Sequence, residues 1–331
     1  MKKFLFSSIA FSVLIVSLYT LISNTVKPKN VVSNDYMAAM IDKHNRIEQL
    51  NCPKIIFAGG SNLAFGLNSE EVENEFSVPV VNLGLHKGLG LNFILNELKN
   101  TIKKDDVVFL SIEYLLESEG NYELKKKTSC SYKEALKYYT YDLRAEILID
   151  IDKTNKNIKS YKKNKKTANN LNPEIQVYSR DAFNKYGDVI AHLEKSPPKE
   201  LKDIGVLNYS YWTGINELNE FYKYAKSKNV AVFFIYPNYP VSEFKKNQEV
   251  IEKLSKDLSD NLKIEILNSP YDFVFPDSLF FDTVYHLNKI GRKLRTKKLI
   301  EIIKKNTNAQ QLINSIRNST IQPKDSEQTK A

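Results

Sequence analysis

Residues 55–69 read IIFAGGSNLAFGLNS. An apolar run rich in β-branched side chains stops on Gly59 and Gly60, and Ser61 and Asn62 follow at once. A short apolar run bounded by glycine reads as a buried strand, here residues 54–58 (KIIFA), that ends in a tight loop. That loop is either a plain turn or a device that presents the Ser61 hydroxyl at the carboxyl end of a strand. What the chain places at its other strand ends decides between the two.

Downstream, Asn68-Ser69-Glu70-Glu71 marks a helix start, with Ser69 as N-cap and acids in the first turn. Residues 78–83 (VPVVNL) predict a second strand, followed by the glycine-rich GLHKGLGLN and a helix through NFILNELKNTI. Residues 106–112 (DVVFLSI) predict a third strand, and residues 230–236 (VAVFFIY) and 262–267 (LKIEIL) two more. A helix over residues 215–227 precedes the fourth strand, and a Lys-rich amphipathic helix over about residues 289–305 closes the domain. Near-continuous apolar strands alternating with helices predict an α/β fold, a parallel sheet in a three-layer α/β/α sandwich. Six of the 11 glycines, at 59, 60, 66, 84, 88 and 90, follow the first two strands. Ligands of open α/β sheets bind beyond the carboxyl ends of the strands, and glycine there lets backbone N–H groups approach them closely. GGSNLAFG has neither the GxGxxG spacing nor the P-loop lysine, which argues against a nucleotide.

A chain of 331 residues with 42% hydrophobic and 11% aromatic content can bury one large core, or a core and a smaller lobe. The net charge of +9 suits an anionic membrane or polymer, and no zinc finger or aromatic RNA-binding signature points to nucleic acid. Residues 153–166 carry seven lysines and no acid, as either a solvated loop or an anion site. Cys52 and Cys130 form no CxxC pair, so no zinc site is expected, nor any cofactor; one disulfide is open to them outside the cytoplasm. Lys2 and Lys3 precede FLFSSIAFSVLIVSLYTLIS, residues 4–23, uncharged and long enough for one membrane-spanning helix. No small-x-small site follows, which predicts an uncleaved signal anchor in the cytoplasmic membrane with the C-terminal domain outside. The expected organisation is an anchor over residues 1–23, a stalk over 24–52 and an α/β domain over 53–305. A mostly helical insertion at about 115–214, either a lid or a partly disordered excursion, interrupts it, and a polar tail over 306–331, disordered beyond Arg317, follows.

A serine hydroxyl needs a base to take its proton and a partner to orient that base. Of the four histidines, His286 stands in FFDTVYHLNKIG with Asp282 four residues earlier, a spacing that lets one loop deliver both. His44 belongs to the expected stalk and His192 to the insertion. His86, in the second glycine loop, is a candidate for substrate contact or for a structural role.

GGSN at 59–62, Gly84 in the second glycine loop, and DTVYHLN at 282–288 together resemble the SGNH (GDSL-like) esterase and acyltransferase superfamily. The resemblance spans about residues 52–114 and 215–305 and excludes the insertion. It implies Ser61 as nucleophile, His286 as general base and Asp282 as its partner, with the N–H groups of Ser61 and Gly84 in the oxyanion hole. Two departures stand out. Many members have the Asp and His three residues apart, and here Tyr285 lengthens the spacing to four. The asparagine that usually follows the third strand as an oxyanion donor is missing from Ser111-Ile112-Glu113-Tyr114. Asn62 is then the candidate substitute, and Glu113 and Tyr114 join His86 as candidate substrate-binding residues. These departures resemble the membrane-anchored branch that O-acylates cell-surface polymers. That branch implies an envelope polysaccharide substrate and a multi-spanning membrane acyltransferase as partner. Hydrolysis and transfer both remain open, as does a non-catalytic, glycan-binding scaffold.

Overall fold

The computed structural model describes residues 2–26, 34–163, 176–202 and 205–321. Two compact units divide the chain, Met1–Ser33 with Tyr141–Glu174, and Asn34–Thr140 with Ile175–Ala331. In the first unit, helix α1 (Lys2–Val26) is the one helix among the described residues long and apolar enough to cross a membrane, with a mean hydropathy of 2.1 over its best window. The second unit opens with α2 (Ala39–Gln49) and continues through β1 (Ile55–Gly59), α3 (Ser61–Gly66), α4 (Ser69–Phe76), β2 (Val80–Asn82), α5 (Leu91–Thr101), β3 (Val107–Ser111) and α6 (Tyr122–Ser131). Helix α7 (Leu143–Lys163) belongs to the first unit, where the Tyr19 and Thr154 hydroxyls are hydrogen-bonded at 3.1 Å. The lysine-rich run therefore continues a helix as far as Lys163; residues 164–166 lie outside the described residues. The second unit resumes with α8 (Gly214–Ser227), β4 (Ala231–Phe234), β5 (Tyr239–Pro240), α9 (Val241–Asn261), β6 (Glu265–Ile266), β7 (Val274–Phe275), α10 (Lys289–Lys305) and α11 (Thr307–Ile321).

Five strands form one parallel sheet in the order β2-β1-β3-β4-β6. Alternation along each strand splits the core in two. Ile56, Ala58, Val108, Leu110, Val232 and Phe234 pack under α5, α8 and α9. Ile55, Phe57, Val107, Phe109 and Phe233 pack under α4, α10 and α11. On that second face the rings of Phe57, Phe109 and Phe233 stack across adjacent strands with centroids 5.2 and 5.4 Å apart. Burying each such ring contributes on the order of 1.5–3 kcal/mol. The chain is thus α/β with a parallel central sheet covered by helices on both faces. The strand order reverses between β1 and β3, and the crevice beyond the carboxyl ends at such a reversal is where doubly wound sheets bind ligands.

Three boundaries differ from the sequence reading. The expected stalk is folded from Asn34 onward: Tyr36, Met37, Met40 and Ile47 are buried, the Tyr36 hydroxyl donates to the Leu85 carbonyl at 2.8 Å, and His44 bonds the Glu97 carboxyl at 2.9 Å. The expected tail begins with α11, because Ala309, Ile313 and Ile316 recur at helical spacing and bury one stripe against the sheet's second face; residues 322–331 lie outside the described residues. Helix α4 starts at Ser69 rather than after it. Asn68 takes the cap position, and Ser69 instead bonds Asp188 through both its N–H (2.9 Å) and its hydroxyl (2.6 Å). Cys52 and Cys130 are both free thiols.

Candidate active site

β1 ends where side chains no longer fit. A Cβ on Gly59 would lie 2.0 Å from the Ser111 carbonyl oxygen, and one on Gly60 would lie 2.2 Å from Glu113 Oε1. The two glycines let β1 and the end of β3 meet backbone to backbone, and α3 starts immediately with Ser61. Four residues on, one turn along the same helix face, the Phe65 ring lies flat against the His286 imidazole, centroids 3.8 Å apart and planes 5° from parallel. Phe65 thereby seats the His286 imidazole against α3, the helix that begins at Ser61.

His286 and Asp282 occupy one tight turn. Phe281 N–H donates to the His286 carbonyl at 2.7 Å, and Phe280 and Leu287 form an antiparallel bridge across its base. His286 Nδ1 lies 2.8 Å from Asp282 Oδ1. Bonded to a carboxylate, Nδ1 carries the ring hydrogen, which leaves the Nε2 lone pair open to accept a proton. The Tyr178 hydroxyl donates to Asp282 Oδ2 and also lies 3.3 Å from Nδ1. Burial pushes the Asp282 carboxyl up, but the hydrogen bond and charge of His286, the Tyr178 hydroxyl and Lys202 together outweigh it and hold the group below its ordinary range. Tyr285, the residue that lengthens the Asp–His spacing, accepts the Tyr114 N–H on its hydroxyl at 3.2 Å and the Asn238 amide on its carbonyl at 3.0 Å. It ties the turn to the segment after β3. His192 Nε2 holds the Leu287 carbonyl at 2.9 Å; burial above all pulls this imidazole down to about 4, so it is a neutral brace. Among the described residues neither the Ser61 hydroxyl nor His286 Nε2 has a hydrogen-bond partner, so the Asp–His arm is assembled and the Ser–His bond is not.

The oxyanion donors differ from expectation. Asn62 is fully buried; its amide donates to the Ser111 carbonyl at 2.9 Å, and its side-chain oxygen accepts from the Ser111 hydroxyl at 3.0 Å and from Arg295 at 2.9 Å. An amide closed in this way cannot reach a substrate oxygen, so Asn62 bolts α3 to β3 and does not replace the missing donor. Gly84 N–H is likewise taken, by Asn82 Oδ1 at 2.9 Å. Of the proposed donors, only Ser61 N–H has no partner among the described residues. Glu113 stands where the asparagine was sought: its Oε1 accepts the Asn62 N–H at 3.1 Å, and its Oε2 is buried with no partner. Tyr114 lines a cavity beside it, whereas His86 caps a 3₁₀ turn by accepting Gly88 N–H at 2.9 Å and is not among the residues lining that cavity.

Buried charges that the sequence reading missed hold this frame. Arg295 reaches from α10 to the Asn62 carbonyl at 2.5 Å and to Asn62 Oδ1 and the Ser111 hydroxyl, and burial pulls it down to about 9 despite the favourable charge of Glu113. Lys43 of α2 donates to the carbonyls of Asn82 (2.8 Å), Gly84 (2.9 Å) and Gly187 (2.5 Å). Burial pulls its amine down to about 7, yet three carbonyls around one nitrogen match the three hydrogens of the ammonium form. Asp188 gathers Ser69, Asn82 and Arg292. One signal was present: in the lysine-rich α10 the only arginines, 292 and 295, are the buried cations. No family model and no curated protein matches this chain.

Proposed function

We propose that the chain is a membrane-anchored serine esterase or O-acyltransferase of the SGNH type, with a flavodoxin-like strand order, acting outside the cytoplasmic membrane on an envelope polysaccharide or related polymer. The observation that carries this reading is the Asp282–His286 hydrogen bond, its imidazole stacked on Phe65 one turn from Ser61 at the switch point of a parallel sheet. The Ser61 hydroxyl attacks an acyl carbonyl and gives its proton to His286 Nε2. Asp282 fixes the tautomer and stabilises the imidazolium, and Ser61 N–H bonds the developing oxyanion. Water or a polymer hydroxyl then returns a proton through His286 and takes the acyl group. Helix α1 supports an anchored protein, and a multi-spanning membrane acyltransferase is the partner that would supply the acyl group. The committed Asn62 and Gly84 donors and the unmade Ser–His bond favour one rival, a glycan-binding scaffold with the same fold. Treating the full-length protein in detergent with a fluorophosphonate probe separates them. The expected result is labelling that is lost in Ser61→Ala and His286→Ala. A folded wild type that takes no label and releases no acyl group from model esters refutes the catalytic reading.

A further inference from the structure

The lysine-rich run of the sequence belongs largely to α7, a helix that the proposed chemistry does not use. Asp142 caps its start: Oδ1 accepts the N–H groups of Arg144 at 2.8 Å and Ala145 at 3.1 Å. Leu143, Ile147 and Ile151 follow at four-residue spacing and share one face. All three are open, at 59%, 51% and 42% exposure, and Leu148 beside them at 66%. Glu146 and Asp150 run along one edge of this stripe and Arg144 along the other. On the opposite side of the helix Ala145, Ile149 and Lys153 are half-buried, so the apolar stripe faces away from the packed side. The second half of α7, residues 153–163, carries five lysines and no acid.

We propose that α7 lies in the lipid–water interface beside α1, with the Leu143–Ile147–Ile151 stripe in the acyl boundary and the lysine half on anionic lipid headgroups; the proposal rests on the membrane-anchor reading above. Thr154 stands three residues past Ile151, about 4.5 Å along the helix axis, and continues the same face. It is also a residue that meets α1: its hydroxyl and that of Tyr19 are hydrogen-bonded at 3.1 Å. Tyr19 lies near the carboxyl end of the apolar stretch 4–23, and tyrosines favour the edge of a bilayer. The face of α7 that touches the span at one end is therefore the face left bare at the other, and the medium beside a membrane span is lipid. A contiguous exposed apolar stripe of this kind marks an interaction surface. At 21 residues α7 is long enough to cross a bilayer, but its five lysines and three acids are strongly disfavoured in hydrocarbon. Lying flat keeps them in water or among headgroups, and a sheet of lipid phosphates matches a lysine run without acids. A protein groove would cover the stripe but gives no reason for the uniform charge that follows it.

The test uses the full-length protein with Cys52→Ser and Cys130→Ser, which removes both free thiols. In that background Ile147→Cys, Asp152→Cys and Phe11→Cys are each labelled with the environment-sensitive dye NBD. Asp152 lies about 140° round the helix from Ile147, and Phe11 lies within the apolar stretch of α1. Each protein is reconstituted into vesicles of phosphatidylglycerol and phosphatidylcholine that contain doxyl-lipid, a quencher confined to the bilayer. Quenching should be at least about twofold stronger at Ile147 than at Asp152, because the apolar face of an interfacial helix sits about 5–10 Å into the headgroup–acyl boundary. In vesicles of phosphatidylcholine alone, quenching at Ile147 should weaken; an unchanged value overturns the assignment of the lysines to anionic headgroups. Equal quenching at Ile147 and Asp152, or none at Ile147 while Phe11 is quenched, overturns the proposal. So does a label at Ile147 that is shielded from aqueous iodide yet not reached by doxyl-lipid, which assigns the stripe to a protein contact. Phe11 separates the two readings: an unquenched Phe11 label with a quenched Ile147 label removes the anchor and leaves α7 on the membrane surface. Circular dichroism checks that each variant is folded, and Leu143→Cys, on the same stripe, repeats the measurement should Ile147→Cys fail to fold.

Discussion

Arg295 is the residue whose removal best tests how the Ser61 loop is held. Its side chain is fully buried and supplies three hydrogen bonds, to the Asn62 carbonyl, Asn62 Oδ1 and the Ser111 hydroxyl. Arg295→Met relieves the desolvation that pulls this guanidinium down. It also takes one donor from the Asn62 carbonyl and removes the positive charge that offsets the Glu113 carboxylate. Ser111 and Asn62 Oδ1 still have each other, and the Asn62 carbonyl keeps its place in the α3 hydrogen-bond ladder, so one uncompensated buried carboxylate remains. Breaking one side of a buried charge arrangement costs about 3–5 kcal/mol, which outweighs the relief. In a domain of this size that lowers the melting temperature by roughly 6–20 °C. Lys293→Met, at an exposed position on the same helix, should change stability by about 0.5 kcal/mol or less.

The sign of the coupling is the sharper test. In Arg295→Met with Glu113→Gln no uncompensated charge remains, so the double variant should be more stable than Arg295→Met alone, with a coupling of about 1–3 kcal/mol. Thermal melts in detergent, followed by circular dichroism, measure all four proteins. An Arg295→Met protein that melts within about 2 °C of wild type, or a double variant no more stable than Arg295→Met, refutes the idea that Arg295 and Glu113 clamp the loop from opposite sides.

Two further outcomes are expected. Tyr178→Phe removes a hydrogen bond that lowers the Asp282 pKa, so the carboxylate should protonate at higher pH and the acid limb of Ser61 labelling should move up; an unmoved limb denies Tyr178 a positioning role. His192 falls from 6.5 to about 4 on burial, so between those pH values the unfolded chain binds a proton that the native state refuses. Stability is then complete above the unfolded value and is lost as pH falls through that window, by up to about 3 kcal/mol. His192→Gln, whose amide can keep the Leu287 bond, should flatten this part of the melting-temperature profile, and an unchanged slope refutes the assignment.

The central strands were legible because a strand buried on both faces reads as an unbroken apolar run, as IIFAG and VVFLS do. The edge was less so: β6 is only Glu265–Ile266, since an edge strand has one neighbour and one exposed side. β5 and β7 pair only two residues each and carry no periodic pattern, and α9 was not read although Phe244, Ile251, Leu254 and Leu258 form its stripe. α11 hid behind its average polarity, because three buried apolar residues in fifteen suffice when they share one face. At the site, the Asp282–His286 pairing was visible because both residues lie in one turn. Lys43, Tyr178 and Asp188 were not, because each arrives from more than thirty residues away in sequence and no local pattern marks a long-range partner.

What stands at the end of β3 also bears on the kind of catalysis to expect. An asparagine there would donate to the oxyanion; Glu113 accepts instead, and draws the Asn62 N–H inward. With Asn62 and Gly84 committed, the proposed mechanism leans on Ser61 N–H, and each missing donor forgoes about 2.7–4 kcal/mol of transition-state stabilisation. Acylation and deacylation both pass through an oxyanion, so both slow together. A slow serine that holds its acyl group serves a hydrolase poorly, since water is always at hand. It serves a transferase well if the acceptor is bound beside it. The same Glu113 that takes the donor's place packs its carboxylate against Gly60, where a Cβ would lie 2.2 Å from Oε1. Loss of a donor at that position tilts the proposed chemistry from hydrolysis toward transfer.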